Sequence, residues 1–183
     1  LLTDKNKEYH IVDIACGGGD TMLAIANWAK SNSYKVKITG VDINADAIEF
    51  TNKYCKHYKE IYAVQSDYRD FLKSAKSIDI IHCSLFCHHL QDEELIELFN
   101  YCNQYTDVGF VINDLQRHWF AYYSIKILTA WFSSSVLVKN DAPLSVLRGF
   151  KRQELNNLLL KAHVNTASVS WKWAFRYLVI HQK

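Results

Sequence analysis

The chain has 183 residues, of which 49% are hydrophobic and 22% are charged, so it can form the core of one globular domain and is not expected to be disordered. The formal net charge is only +2, and the basic residues are spread along the chain, which argues against nucleic-acid binding. The five cysteines form no Cys-x-x-Cys pair, so we expect a reducing, cytoplasmic setting without a disulfide framework.

Short β-rich runs alternate with helical patterns along the first two thirds of the chain. In order, we predict strand 1 over 9–15, a helix over 20–31, strand 2 over 35–42, a helix over 45–58, strand 3 over 61–65, a short turn or helix through 72, strand 4 over 78–84, a helix over 92–105 and strand 5 over 109–114. Asp20 and Asn44 are the predicted N-caps of the first two helices. This alternation predicts an α/β fold with a mostly parallel sheet.

The last third of the chain departs from this pattern. The segment 119–138 is aromatic and apolar on nearly every face, but Lys126 and several Ser/Thr residues make it a poor membrane span, so we predict a buried or ligand-facing helix. A polar break over 139–143 and a helix over 151–162 follow. Two strands over 164–171 and 175–182, three residues apart, predict a C-terminal hairpin. Without repeats or linkers, residues 1–183 are predicted to form a single domain.

A glycine-rich loop follows strand 1 directly and leads into a helix. Its sequence, Asp13-Ile-Ala-Cys-Gly-Gly-Gly-Asp20, allows the backbone to approach a ligand closely. The third glycine of a dinucleotide fingerprint is replaced by Met22, and the Gly-Lys-Ser/Thr of a phosphate loop is absent. An acid just before the loop suits a ligand with an amino group better than a pyrophosphate, because like charges repel.

This loop resembles the first motif of class I S-adenosylmethionine-dependent methyltransferases, with Ala15 where a glycine is common. Three further motifs follow in order at strand ends: Asp42 in Gly-Val-Asp-Ile, Asp67 in Gln-Ser-Asp-Tyr, and His-His-Leu-x-Asp-Glu-Glu within 85–94. The last is similar to small-molecule members related to the quinone-biosynthesis enzymes. The resemblance implies a Rossmann-like, seven-stranded, mostly parallel sheet with a C-terminal antiparallel hairpin. Generic members have a shorter connection after strand 5, so we expect residues 117–144 to be a helical cap insertion.

The resemblance also implies S-adenosylmethionine as the cofactor. The glycine loop would wrap its methionine part, Asp42 would bind both ribose hydroxyls, and Ile43 and Asp67 would lie beside the adenine. The residues expected to bind it are Asp13, Ala15, Cys16, Gly17, Gly19, Asp42, Ile43, Asp67, Tyr68 and Ser84. Family members usually have a helix before strand 1 that closes over the cofactor, and we expect this helix to be missing here because strand 1 begins near Tyr9.

The methyl acceptor should meet the loops after strands 4 and 5, since ligands of such sheets bind outside the carboxyl ends of the strands. His88, Asp114 and His118 are the candidate catalytic residues there, because an imidazole can accept a phenolic proton near neutral pH. A structural role is the alternative for His88 and its neighbour His89. No metal is expected, since Cys83, Cys87 and the two histidines match no common zinc spacing.

The expected reaction is methyl transfer to a small, rather apolar acceptor, with a hydroxyl as the favoured nucleophile. The Asn/Asp-Pro-Pro-aromatic motif of exocyclic-amine methyltransferases is absent after strand 4. The alternatives are carbon methylation of a quinone-like ring and an inactive cofactor-binding scaffold. We expect the segment 117–138 to cover the acceptor through Trp119 and Tyr123, unless it is plain core, and Arg117 to pair with Asp114. Neither nucleic acid nor a membrane span is expected, and a homodimer is left open.

Overall fold

A computed structural model describes residues 1–183 and shows a single seven-stranded sheet with the order β3-β2-β1-β4-β5-β7-β6. The strands are β1 Glu8–Ile14, β2 Lys35–Asp42, β3 Ile61–Gln65, β4 Ile80–Ser84, β5 Gly109–Leu115, β6 Ser168–Lys172 and β7 Arg176–Gln182. The first five are parallel, whereas β7 runs antiparallel to both β5 and β6. The predicted Rossmann-like sheet with a C-terminal antiparallel hairpin is therefore confirmed.

Seven α-helices surround the sheet. They are α1 Asp20–Ser31, α2 Ala45–Tyr54, α3 Tyr68–Ser74, α4 Asp92–Tyr105, α5 Trp119–Phe132, α6 Val136–Arg148 and α7 Arg152–Lys161, and a single 3-10 turn lies at Cys87–His89. None of them combines the length and the hydropathy that a bilayer crossing requires.

The caps of the first two helices match the sequence prediction only in part. The Asn44 side chain accepts hydrogen bonds from the backbone N–H groups of Asp46 and Ala47, so the predicted cap of α2 is confirmed. Asp20 was expected to cap α1 but is its first residue, and Gly19 precedes it in a left-handed conformation. The glycine can adopt this conformation at little cost, so the chain turns sharply into α1 without a side-chain cap.

The sheet is buried on both faces by two separate hydrophobic clusters. Alternate residues of β1 enter different clusters, with Tyr9 and Ile11 in one and Val12 and Ile14 in the other. This period of two is expected for a strand covered on both faces. The order of the parallel strands reverses between β1 and β4, and a crevice outside the carboxyl ends of these two strands is the usual ligand site of such sheets.

The segment after β5 differs from its prediction. The predicted single helix over 119–138 is two helices, because Ser135 caps α6 and the chain turns at residues 133–135. The predicted polar break over 139–143 is wrong, since α6 continues through it with Pro143 buried inside the helix. Packing of α6 against α5, β5 and the 3-10 turn outweighs the local penalty of an internal proline.

Candidate active site

The glycine loop between β1 and α1 is held in an unusual backbone conformation. Ala15, Gly17 and Gly19 all have positive φ, at 54°, 51° and 78°. A Cβ added at Gly19 would lie 2.7 Å from Cγ2 of Thr51, whereas one at Gly17 would meet nothing within 4 Å. The Thr51 hydroxyl also donates a 2.6 Å hydrogen bond to the Gly17 carbonyl. The loop is thus fixed from the α2 side and open where a ligand can approach the backbone.

The Asp42 carboxylate connects the end of β2 to this loop. Its Oδ2 accepts a hydrogen bond from the Gly17 N–H at 3.0 Å, and its Oδ1 accepts one from the Asn44 N–H at 2.9 Å. A carboxylate has about four acceptor positions, so two remain for other donors. Asp42 therefore fixes the loop and can still accept hydrogen bonds from a pair of adjacent hydroxyls.

A cavity of about 160 Å³ opens beside this carboxylate at the carboxyl ends of β1, β2 and β3. Five residues predicted to bind the cofactor line it together: Ala15, Asp42, Ile43, Asp67 and Tyr68. Its wall also contains residues that the sequence analysis missed, namely Ser66, Arg69, Phe86, Leu90 and Glu94. Ser66 follows β3 and Arg69 lies in α3, whereas Phe86, Leu90 and Glu94 come from the segment 85–94, whose motif does not by itself indicate that it borders this cavity.

The far wall of this cavity is aromatic. The Tyr68 and Phe86 rings meet edge to face at 6.2 Å, and the Arg69 guanidinium lies 4.8 Å from the centre of the Tyr68 ring. Burial raises the pKa of Tyr68, and its buried hydroxyl has no hydrogen-bond partner. Asp67 caps α3 by accepting a hydrogen bond from the Arg69 N–H. The acid after β3 therefore has a structural role in addition to any contact with a ligand.

Five of the ten predicted cofactor residues do not line this cavity. Gly17 and Gly19 belong to the loop beside it, and the side chains of the other three make contacts elsewhere. Asp13 is buried, and its Oδ1 lies 2.6 Å from Nδ1 of His82, its register partner on β4. The Cys16 thiol packs in the core, and burial together with the nearby acids raises its pKa to about 12, so it stays neutral. The Ser84 hydroxyl accepts a hydrogen bond from Asn113 at 3.1 Å. His82 was missed because its link to Asp13 depends on strand order.

A second, larger cavity of about 400 Å³ lies between the carboxyl ends of β4 and β5 and the helices α5 and α6. Nine of its 14 lining residues are hydrophobic, so it suits an apolar guest. Its wall includes Leu85, His88, Leu115, Ile125 and Val146. Leu85 lies next in the chain to Phe86, which lines the first cavity, so the loop after β4 borders both cavities.

His88 and Asp114 form a buried pair at the edge of the larger cavity. The His88 Nδ1 lies 2.7 Å from the Asp114 Oδ1, which also accepts a hydrogen bond from the Leu115 N–H. With Nδ1 as the donor, Nε2 carries the free lone pair, and it has no partner within the chain. The other Asp114 oxygen is buried without a partner. The predicted residues His88 and Asp114 are thus brought together, in an arrangement that can accept a proton.

His118, His89 and Arg117 lie outside this pair. The His118 Nδ1 accepts a hydrogen bond from the Phe120 N–H and caps α5, and His118 does not line the larger cavity. The ring of His89 packs 4.1 Å from that of His88, and burial, followed by the charge of His88, lowers the pKa of His89. Arg117 pairs with Glu154 on α7, so the expected Arg117–Asp114 pair is wrong.

Helix α5 covers the larger cavity with small and aliphatic side chains. The residues that face the cavity are Ala121, Ser124, Ile125 and Leu128, at helical spacings of three and four. Trp119 and Tyr123, expected to contact the acceptor, are exposed on another face of the helix. The expectation that this segment is plain core is wrong as well, because most of its aromatic rings are exposed.

A model of a protein family described as "Methyltransferase domain" matches residues 11–109, which is more than half of the chain. The chain belongs to this methyltransferase family. It is an enzyme that uses S-adenosylmethionine, and the match covers both sides of the first cavity. The match ends at the start of β5, so both helices over the larger cavity, α5 and α6, lie outside it. The structure contains no group of three or more His, Cys, Asp or Glu side chains that could hold a metal ion.

Solved structures share the fold of this methyltransferase at low sequence identity. The plantazolicin methyltransferase BpumL in complex with SAH is 17% identical, with a TM-score of 0.70, over 96% of this chain and 76% of that one. The magnesium protoporphyrin IX methyltransferase of Synechocystis PCC 6803 with bound SAH is 12% identical, with a TM-score of 0.62, over 94% and 73%. A putative O-methyltransferase from Nostoc punctiforme PCC 73102 is 11% identical, with a TM-score of 0.67, and the chain spans 53% of its length.

Proposed function

We propose that this methyltransferase transfers the methyl group of S-adenosylmethionine to a hydroxyl of a small, largely apolar acceptor. The observation that carries the proposal is the buried His88–Asp114 pair in the wall of a mainly apolar cavity of about 400 Å³. A wall of aliphatic side chains favours an apolar acceptor, and a single proton-accepting group at its edge suits a hydroxyl nucleophile.

The cofactor is proposed to lie along the glycine loop and in the first cavity. Asp42 has acceptor positions left for the two ribose hydroxyls, and Gly17 leaves space for the methionine part because no side chain stands there. Ile43, Tyr68 and Phe86 provide apolar surfaces for the adenine. When bound, the cofactor supplies a methyl group on a sulfonium, which a nucleophile displaces directly.

In this proposal His88 accepts the hydroxyl proton at Nε2 while the acceptor oxygen forms its bond to the methyl carbon. Asp114 accepts a hydrogen bond from the Nδ1–H of His88, and this tautomer leaves the Nε2 lone pair free to accept the proton. The Asp114 carboxylate then stabilises the imidazolium that forms. The helices α5 and α6 cover one side of the cavity and help to align the acceptor. The proton ends on His88 and the sulfonium charge is lost from the cofactor, so the charges balance.

Carbon methylation of a quinone-like ring is the second candidate. The observation that favours it is the same apolar cavity, which would hold an aromatic ring equally well. An already ionised ring needs no base at the moment of transfer, so this reaction would depend less on His88.

The test is transfer of a labelled methyl group to a panel of phenols and aliphatic alcohols, with each variant assayed for kcat and KM. We expect His88→Gln to lower kcat by about a hundredfold or more, with little change in acceptor KM, because a positioned base contributes about 10²–10⁴-fold. His89→Gln, a neighbouring and more exposed histidine, is the matched control and should stay within a few fold of the natural enzyme. Unchanged kcat in His88→Gln would favour carbon methylation, and no transfer to any acceptor would favour a scaffold.

A further inference from the structure

The helical hairpin formed by α5 and α6 carries a large exposed apolar surface. At its turn, the side chains of Trp131, Phe132, Val136 and Leu137 are exposed by 80%, 81%, 71% and 73%. We call these four residues the hairpin tip. The same surface continues along α5 through exposed Phe120, Tyr123 and Ile127, which share a helix face with Trp131. Apolar patches of this kind on a protein surface usually mark a site of interaction.

The charged residues nearest the hairpin tip in the chain are basic, and the first acid after them is exposed Asp141 of α6. Between Asp114 and Asp141 the only charged residues are Arg117, Lys126 and Lys139, and Arg117 is already paired with Glu154. Lys126 and Lys139 are exposed and make no ion pair. A symmetric contact with a second copy would set the same basic surface against itself, whereas anionic headgroups would neutralise it.

We propose that this face docks on the surface of a bilayer that contains anionic lipids. The hairpin tip inserts among the headgroups and upper acyl chains, where Trp and Phe side chains partition well, and the two lysines contact lipid phosphates. No helix crosses the bilayer in this arrangement, which agrees with the short helices of the hairpin. The proposal concerns membrane attachment and does not depend on the proposed base.

The opposite side of the same hairpin lines the larger cavity, which links membrane docking to acceptor binding. Ser124, Ile125 and Leu128 of α5 line the larger cavity, while Tyr123 and Ile127 belong to the exposed face. A single helix thus separates the cavity from the proposed membrane surface. An apolar acceptor that is dissolved in the bilayer could therefore reach the cavity at the edge of the hairpin without crossing bulk water.

The test is flotation of the whole protein with vesicles of phosphatidylcholine alone and of phosphatidylcholine mixed with phosphatidylglycerol, without cofactor or acceptor. We expect at least tenfold tighter binding to the anionic vesicles and weaker binding at high salt. Trp131→Ser/Phe132→Ser should weaken this binding at least tenfold. Lys126→Gln/Lys139→Gln should weaken it about twentyfold or more, since each basic residue near an anionic surface contributes about fivefold.

Matched controls place equivalent changes elsewhere on the surface. Tyr54→Ser/Leu160→Ser removes two exposed apolar side chains from α2 and α7, and Lys30→Gln/Lys53→Gln removes two exposed lysines from α1 and α2. Both should bind vesicles like the natural protein. Equal binding by the tip variant and its control would overturn the proposal. A second result would also overturn it: light scattering shows that the natural protein is a dimer and the tip variant a monomer, and neither binds vesicles. That result would assign the face to a second copy.

Discussion

Two residues that are not glycines have left-handed backbones in the loops after β1 and β4, which border the proposed methyl-transfer site. Ala15 has φ 54° after β1 and Leu85 has φ 56° after β4, and these are the two strands where the sheet order reverses. Such residues cost about 1–2 kcal/mol each relative to ordinary conformations, and they often cluster at functional sites. Contacts from the surrounding structure must offset this cost, so substitutions at these positions should change the free energy of unfolding.

Ala15→Gly should raise the free energy of unfolding by about 1 kcal/mol, because glycine adopts the left-handed conformation without the penalty from Cβ. Gly19→Ala should lower it by about 1–3 kcal/mol, since its Cβ would lie 2.7 Å from Cγ2 of Thr51. Denaturant unfolding of both variants measures this. Destabilisation by Ala15→Gly would show that the loop is less strained than its φ angle indicates.

The proposed contact between Asp42 and the ribose can be tested by binding alone. Asp42→Ala should weaken cofactor binding tenfold or more, because hydrogen bonds to a charged group contribute about 1.5–3 kcal/mol each. Calorimetry with S-adenosylhomocysteine gives the dissociation constant. Asp46→Ala, a nearby acid in the first turn of α2, is the control and should bind normally. Unchanged affinity in Asp42→Ala would remove Asp42 from the site.

Among the helices, α5 forms one wall of the larger cavity. Its sequence is apolar on nearly all faces, so periodicity alone could not tell which side faces the protein. The bulky aromatic residues drew the sequence prediction to Trp119 and Tyr123, but smaller side chains face the cavity in the structure. In this orientation His118 caps the helix and α5 packs on α6.

Ile125→Ala should raise the acceptor KM about tenfold with unchanged cofactor affinity, since it removes several methyl and methylene groups from the cavity wall. Tyr123→Ala alters the exposed side of the same helix and should leave KM for a water-soluble acceptor unchanged. Steady-state kinetics on the acceptor with the highest turnover distinguishes the two. A larger effect from Tyr123→Ala would show that the acceptor binds on the outer face.

For the whole molecule, the sequence predicts the sheet and the cofactor side better than the acceptor side. Each cofactor motif ends a parallel strand, and such strand ends meet at one edge of the sheet, so Asp42 and Asp67 could be placed together. The pairs Asp13–His82 and His88–Asp114 form because β4 lies between β1 and β5 in the sheet. The spacing of residues in the sequence does not indicate this strand order. The course of α6 through Pro143 likewise depends on tertiary packing.

The stability of the whole chain should fall in mild acid because of His181 in β7. Burial, followed by the charge of Lys183, lowers the pKa of His181 below its ordinary value of 6.5. The unfolded chain therefore binds a proton near that value while the folded chain resists it, so the free energy of unfolding decreases as the pH falls. In the neutral imidazole, Nε2 hydrogen-bonds to the Asn103 side-chain oxygen and Nδ1 to the Thr166 hydroxyl.

His181→Gln should lose less stability than the natural protein between about pH 7.5 and about pH 5.5, because glutamine takes up no proton. Urea unfolding at several pH values gives both curves, and the exposed His57 provides a control as His57→Gln. Parallel curves for His181→Gln and the natural protein would contradict the assignment.

In our proposal the cofactor and the acceptor meet at the loop after β4, with the methyl donor facing His88. A crystal structure with bound S-adenosylhomocysteine tests it most directly. We expect both ribose hydroxyls to bind Asp42, the adenine to lie between Ile43 and Phe86, and the sulfur to lie at the opening to the larger cavity beside Leu85 and His88. A sulfur atom directed away from this cavity, or separated from His88 by the packed loop, would contradict it.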